Sequence, residues 1–544
     1  MGQFNRRQKA SPPPLRSDLR LKEVPLEVLH GHLERAREAL GDEGYTDLRM
    51  AVDTLAFVNQ EAERKGTSVL RLRHILFGPK TESTAAICRE AMSAENPSET
   101  KAPDRPKEKR EKVPGHGRNA TAAYPGAKRV LVAMKGADSG EPCPECPKGK
   151  VYPQKEPATL VRIRGVAPFM ATIYELERRR CNLCGEVFTA EASAGVGREK
   201  YDESVAAMLA LLRYGAGLPM NRIEKLQAGF GIPLPVSTQW EIILKAAGLL
   251  APAHAELIRQ AAQGEVLYND DTVMRILGKA PQAKEGRKAV YTSAILSRLG
   301  SHRIALFITG HNHAGENLGA VLQQRAEGLS APIQMCDALA ANTVGEAGEL
   351  NTILAHCLAH ARRRFVEVET RFPEEVQHLL EELKVVYQND ARTKREQMDL
   401  SARLAFHQQE SAPIMRNLER WLREQIEEGK VEPNSGLGQA ITYMRKHWGP
   451  LTLFLREPGA PLDNNACEAV VKRAIMHRKN SLFYRTATGA RAGDTFMSLI
   501  HSAELNGVEP FEYLIKLLKH SEEVERDPGR WLPWTYPAPP GDTH

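Results

Sequence analysis

The pattern of apolar and polar positions changes period along this chain, and the changes mark out its elements. From Tyr201 it is helical, with Val205, Met208, Leu209 and Leu212 on one face. NRIEKLQAGFG (Asn221–Gly231), a Pro-rich turn and STQWEIILKAA (Ser237–Ala247) follow. Helix, Gly-containing turn and a second helix capped by Ser237 or Thr238 predict a helix-turn-helix over 200–258; plain helical packing produces the same pattern. The period then becomes strand-like. EVLYNDDTVMRIL (Glu265–Leu277), KAVYTSAILSR (Lys288–Arg298) and RIALFITG (Arg303–Gly310) are apolar, β-branched runs separated by Gly/Pro-rich turns. A helix over about Ala314–Ala326, a strand in IQMCDALA (Ile333–Ala340) and a helix in LNTILAHCLAHARRRF (Leu350–Phe365) complete the run. Three strands, a helix, a strand and a further helix make an α/β order of the ribonuclease-H type over 260–365.

The flanking regions are read the same way. Residues 1–20 are polar and Pro-rich and predict a disordered tail. Leu26, Leu29, Leu33, Ala36 and Leu40, then Leu48, Ala51 and Leu55, fall at helical spacing and predict a helical pair or short coiled coil within 21–100. Long charged helices over 366–455 read as an insertion between the sheet and a second part of the core, 456–520. An aromatic, Pro-rich tail occupies 521–544. The expected class is a multidomain α+β protein.

Composition changes this picture little. At 544 residues, 42% hydrophobic and 26% charged, the chain has room for several domains of ordinary soluble make-up. No apolar run approaches the ~18 residues of a membrane span. MGQFNRRQKA lacks the apolar core of a signal peptide, and Arg6 stands where a myristoylation site needs Ser or Thr. The expected location is the cytoplasm, without a membrane partner. Charge is more informative. The net charge is +6, and residues 101–136 alone hold ten Lys/Arg against three Asp/Glu. This segment reads as a basic linker, which would add phosphate contacts in a protein that handles nucleic acid.

Candidate chemistry comes from cysteines and carboxylates. Four of the eight cysteines form two Cys-x-x-Cys pairs, Cys143/Cys146 and Cys181/Cys184, with strand-like runs between them. In a cytoplasmic chain that arrangement predicts a four-cysteine zinc ribbon over 137–192 rather than disulfides. Pro461–Arg485 (PLDNNACEAVVKRAIMHRKNSLFYR) predicts a helix with one carboxylate, Glu468, followed by six Lys/Arg and no Asp or Glu from Ala469 to Gly493. Taken alone, Glu468 is the N3 residue of a capping box behind Asn465. Partner carboxylates alter that reading. Asp270 or Asp271 sits in the first strand and Asp337 at the end of the fourth, where Asp is depleted by propensity. With Glu468 they make three carboxylates on a fold that can converge them, as magnesium-dependent phosphoryl transfer requires. Lys472, Arg473, Arg478 and Lys479 would offset that charge and grip DNA phosphate.

Further stretches carry a resemblance. FGPKTE (Phe77–Glu82), PGHGR (Pro114–Arg118), the two Cys-x-x-Cys pairs and GLPMNRIEKLQAGFGIPLPVST (Gly217–Thr238) are followed by NDDT (Asn269–Thr272) and CLAHARRRF (Cys357–Phe365). LDNNACEAVVKRAIMHRKNSLF (Leu462–Phe483) and NGVEPFEYL (Asn506–Leu514) close the set. In this order, from about residue 70 to the end, the chain resembles transposases of the insertion sequence 66 family, DDE-type enzymes of bacterial mobile elements. The resemblance implies that Asp270, Asp337 and Glu468 are catalytic and hold Mg (or Mn), with Asp271 as a neighbour. Two departures stand out. The family commonly has Gly-Tyr and a further Tyr after the second Asp, where this chain has Ala338, Leu339, Ala340, Ala341 and Asn342. It also has Glu-Arg where this chain has Glu468-Ala469, so Lys472 and Arg473 would supply the charge.

The implied reaction is hydrolysis at the element ends, then attack of the freed 3′-OH on target DNA, with no covalent protein–DNA intermediate. The implied partners are terminal repeats, target DNA, further copies of the chain on DNA, and accessory transposition proteins, in a bacterial cytoplasm near the nucleoid. Ser237 and Gln239 would read the ends. Arg362, Arg363 and Arg364 would bind phosphate, with His356, Cys357 and His360 packing beside them rather than holding metal. A decayed or repurposed transposase that binds DNA without cutting is the rival class; a ribonuclease-H-like nuclease without transposition leaves the amino-terminal modules unexplained.

Overall fold

The computed structural model describes residues 30–37, 41–42, 44–53, 152, 166–180, 187–191, 199–277, 289–344 and 352–536. The chain divides into two units, residues 1–82 and 83–544. In the first, 30–37 and 44–53 are helical, as the spacing predicts. His30 pairs with Asp53 at 2.8 Å and the Tyr45 hydroxyl donates to Glu34. Tyr45 is buried there, whereas Leu48 and Met50 are exposed.

The first strands described in the second unit form a short antiparallel ribbon, β1 (Arg178–Arg180) and β2 (Val187–Thr189). Cys143, Cys146, Cys181 and Cys184 lie outside the described residues, as do FGPKTE, PGHGR, the linker 101–136 and the tail 1–20. α1 (Glu203–Ala210) is capped by Asp202 and runs into a π-helical turn, Leu211–Gly215. α2 (Met220–Gly229) and α3 (Val236–Ala261) follow. α3 starts after Pro235, so neither Ser237 nor Thr238 caps it. Over its 26 residues Ile243, Ala246, Leu250, Ala253, Leu257 and Ala261 are buried at helical spacing, which makes most of it a core helix.

The central sheet has five strands in the order β5-β4-β3-β6-β7: β3 (Val266–Met274), β4 (Val290–Leu299), β5 (His302–Gly310), β6 (Ile333–Cys336) and β7 (Ile353–His356). β3, β4 and β5 are antiparallel, while β6 and β7 run parallel to β3. α4 (Ala314–Leu322) joins the two halves. The stretch LNTILAHCLAHARRRF, expected to be one helix, divides into β7 and α5 (Leu358–Val366). A four-residue apolar run in the parallel part of a sheet carries no period that separates it from a helical turn.

The charged segment forms α6 (Pro373–Arg395), α7 (Leu400–Phe406), α8 (Ala412–Glu427), α9 (Gly436–Lys446) and α10 (Trp448–Leu451). Buried Asp390 ties it together, pairing with Lys394 at 2.6 Å and Arg403 at 2.8 Å. Burial alone would raise this carboxyl; His407, Lys394 and Arg403 together hold it well below the ordinary range. α11 (Asn465–Ser481) then packs on β3 and β4. Among the described residues no helix is long and apolar enough to cross a membrane.

α12 (Ala487–Leu505) is a core helix, buried from Ala492 to Ala503. It lies along the edge strand β5 and gives it hydrogen-bond partners. Asp494 accepts from the Thr309 N–H (2.8 Å), Ser498 from Phe307 (3.0 Å), Ser502 from Ala305 (3.0 Å), and Asn506, just past the helix, from Arg303 (3.2 Å). Every second N–H of an otherwise open edge is thereby satisfied. α13 (Pro510–Lys519) and α14 (Ser521–Arg526) follow. The start of the expected tail is folded too: Trp531 and Leu532 are buried, and the Trp531 carbonyl accepts from the Tyr513 hydroxyl at 2.8 Å.

Candidate active site

Successive side chains of β3 point to opposite faces of the sheet, so Asp270 and Asp271 part company. On one face the Asp271 carboxylate bonds His313, the residue preceding α4, at 2.8 Å. On the other, Asp270 lies under α11. The parallel register pairs Tyr268 with Met335, and two further steps set Asp337, just past β6, beside Asp270. β6 pairs in turn with β7 through Cys336 and His356, so α5 begins at the same end of the sheet.

A polar web fixes this end. The Asn464 side-chain amide donates to the Asn269 carbonyl at 3.2 Å, and its N–H meets the Cys357 thiol at 3.2 Å. Asn269 and Gln334 both donate to the Asn342 carbonyl, at 2.7 and 2.8 Å. The Asn342 amide donates to the Asp337 carboxylate at 2.6 Å, and Leu339 N–H at 3.2 Å. The loop that departs from the family pattern therefore supplies its own orienting group. At the far end of α11, Arg478 donates to the Thr272 hydroxyl (2.8 Å) and the Val273 carbonyl (2.7 Å).

α11 is thus tied to β3 at both ends, with Glu468 between the ties. The helix starts behind Asn464 without a side-chain cap, so Cys467 occupies N3 and Glu468 lies one residue beyond it. The capping-box geometry is not formed. Glu468 Oε1 is buried without a hydrogen-bond partner, with His360 Nε2 at 3.9 Å.

Electrostatics link the three carboxylates. Burial, and then the charges of Asp337, Asp271 and Glu468, push Asp270 up to about 7, against a bond from the Asp271 N–H. Burial and the nearby Arg363 lower His360, while Glu468 and Asp337 act in the opposite sense. Oxygen donors with one buried, unpartnered atom suit a hard divalent cation. Among the described residues, however, no three His, Cys, Asp or Glu side chains already stand at ligand spacing. Mutual repulsion is reason enough for like charges to stay apart.

The residues expected to contact DNA divide into several groups. Gln239 is fully buried and donates to the Leu234 and Met220 carbonyls at 2.8 and 3.1 Å, so it closes the α2–α3 turn and cannot read DNA from there. Arg362 is buried as well. Arg478 serves β3, and Arg473 pairs with Glu504 at 3.4 Å. Ser237, Arg364 and Lys479 are exposed, and Arg363 and Lys472 half-buried. Beside Asp337 a cleft of about 330 Å³ is lined by His360, Arg363, Arg364 and Tyr443. Sequence reading missed Asn269, Asn342, Asn464 and His313 as site residues. Asn269, polar in an apolar strand, carried the same signal as the Asp beside it; Tyr443, on a charged helix, carried none.

Comparison with known proteins completes the picture. Three proteins of Sinorhizobium fredii (strain NBRC 101917 / NGR234) are similar to the chain. Uncharacterized protein y4jD is 26% identical over 62% of this chain and 66% of its own length. Uncharacterized protein y4hP is 25% identical over 56% and 57%, and uncharacterized protein y4qI 26% identical over 61% and 62%. The chain thus spans less than two thirds of each relative. The profile described as "Transposase IS66 family" matches residues 198–492, a span that contains the sheet, the helical insertion and α11. Matched over more than half of its 544 residues, the chain belongs to the IS66 family of transposases.

Proposed function

We propose that this chain is a DDE-type transposase with a ribonuclease-H-like core, cutting DNA at mobile-element ends and joining the freed 3′-OH to target DNA. What supports the reading is that Asp270, Asp337 and the helix bearing Glu468 lie toward one end of the sheet, where register, hydrogen bonds and charge effects relate residues remote in sequence. Asp270, Asp337 and Glu468 would hold the divalent ion, which when bound activates the attacking oxygen and stabilises the leaving one. In cleavage, water attacks phosphorus and the P–O3′ bond breaks. In joining, the 3′-oxygen attacks a target phosphorus and expels that strand's own 3′-oxygen. Asn342 orients Asp337, and the exposed cation Lys479 meets the phosphate backbone.

The test is a magnesium-dependent cleavage and joining assay on the DNA that flanks the gene. Asp270→Ala, Asp337→Ala and Glu468→Ala should each lose both steps by a thousandfold or more (order of magnitude) while binding DNA nearly as before. Asp271→Ala, which removes a His313 partner on the other face, should keep more activity than Asp270→Ala. Full joining by Glu468→Ala would refute the assignment, and DNA binding without cutting by the unaltered protein would favour a binder derived from a transposase.

A further inference from the structure

Beyond the proposed metal ligand Asp337, the cleft beside it has a lining of its own. α5 contributes Arg363 and Arg364; α9, from the helical insertion, contributes Tyr443. The Arg364 guanidinium lies 3.8 Å above the Tyr443 ring centre, and His447 packs 4.8 Å away against the same ring. The result is a braced, flat, cationic surface with its outer member exposed. About 330 Å³ is room for one nucleotide and far too little for a duplex. Proteins that hold single strands combine such planar platforms with positive charge, and a base reaches a pocket of this kind only when it has left the helical stack.

We infer that this cleft takes one unpaired nucleotide of the strand held at Asp337, its base on the Arg364–Tyr443 stack and its phosphate toward Arg363. The inference rests on the transposase reading for the identity of the strand. Tyr443 is then a positioning residue, and the helical insertion is part of the substrate site. Glu367, also on the cleft wall, disfavours a second phosphate in the same space.

The experiment measures binding by the full chain in EDTA, so that nothing is cut. Its probes are a short labelled single strand, the same length of abasic backbone, and a fully paired duplex. The unaltered protein should prefer the normal strand over the abasic one by roughly tenfold, the scale of one base stacked on an aromatic platform. Tyr443→Ala and Arg364→Lys should lose that preference with duplex affinity little changed, and Tyr443→Phe should keep it. Unchanged duplex binding also certifies that the variants fold. A preference that survives in Tyr443→Ala, or is absent from the unaltered protein, overturns the inference. Strand cutting is read in the separate magnesium assay, so failure of the enzymatic reading and failure of the cleft show up in different measurements.

Discussion

At the scale of single residues, Asp270, a proposed metal ligand, is where that role and stability pull apart. Its carboxyl is raised from 3.8 to about 7, first by burial and then by its acidic neighbours. A carboxyl raised in the folded state favours folding while protonated, so its contribution is complete below pH 4 and is lost as pH rises through 7. Asp270→Asn, neutral throughout, should therefore be more stable than the unaltered protein above pH 7, by about 2–4 kcal/mol, with the difference fading toward pH 4. Urea denaturation of both proteins at pH 5 and pH 8 measures this; a difference independent of pH would contradict it. Such residues were legible in sequence because they break a local rule: an Asp or Asn in an apolar strand conflicts with propensity. Gln239 misled for the complementary reason. A polar residue near a helix start looks exposed until the turn beside it turns out to need a donor, and only the fold reveals the two carbonyls it serves.

At the scale of elements, strands with strong β-branched runs were legible to within a few residues, and the helices of the charged segment by period. β7 was not, because four residues carry no period. The α12–β5 edge was legible only in part: Asp494, Ser498, Ser502 and Asn506 make a visible four-residue repeat in an apolar stretch, but nothing local says that a strand edge lies beside it. The repeat makes a sharp prediction. Ser498→Ala leaves the buried Phe307 N–H without its acceptor and should cost about 1–3 kcal/mol, and Ser502→Ala should do the same through Ala305. Chemical denaturation reads both, and a change under a few tenths of a kcal/mol would mean that the edge finds other partners. Asp494, raised to about 7 by burial against its Thr309 bonds, marks how deeply this edge is enclosed.

At the scale of the second unit, the sheet supplies two of the three carboxylates and a distant helix the third, with α6–α10 between them in the chain. Closing so long a detour costs little more than closing a shorter one, because loop entropy grows only logarithmically with length. The exposed turns of that detour therefore tolerate added length, but α12 does not, and its geometry says why. Four helical residues rise about 6.0 Å and two strand residues about 6.8 Å, so three steps accumulate a mismatch of about 2 Å. The two inner rungs are short serines and the two outer ones are the longer Asp494 and Asn506, whose extra bond of reach falls where the mismatch is largest. Helix and strand thus work as a vernier that agrees at its centre and admits no fifth rung. One Ala inserted between Ser498 and Ser502 rotates every later rung by about 100° and should destabilise the protein severely, whereas the same insertion after exposed Gly429 should leave its melting temperature nearly unchanged. In descendants of this chain, then, length is free to drift at the exposed turns of the helical insertion and is locked along α12, where a single added residue does what no single substitution can.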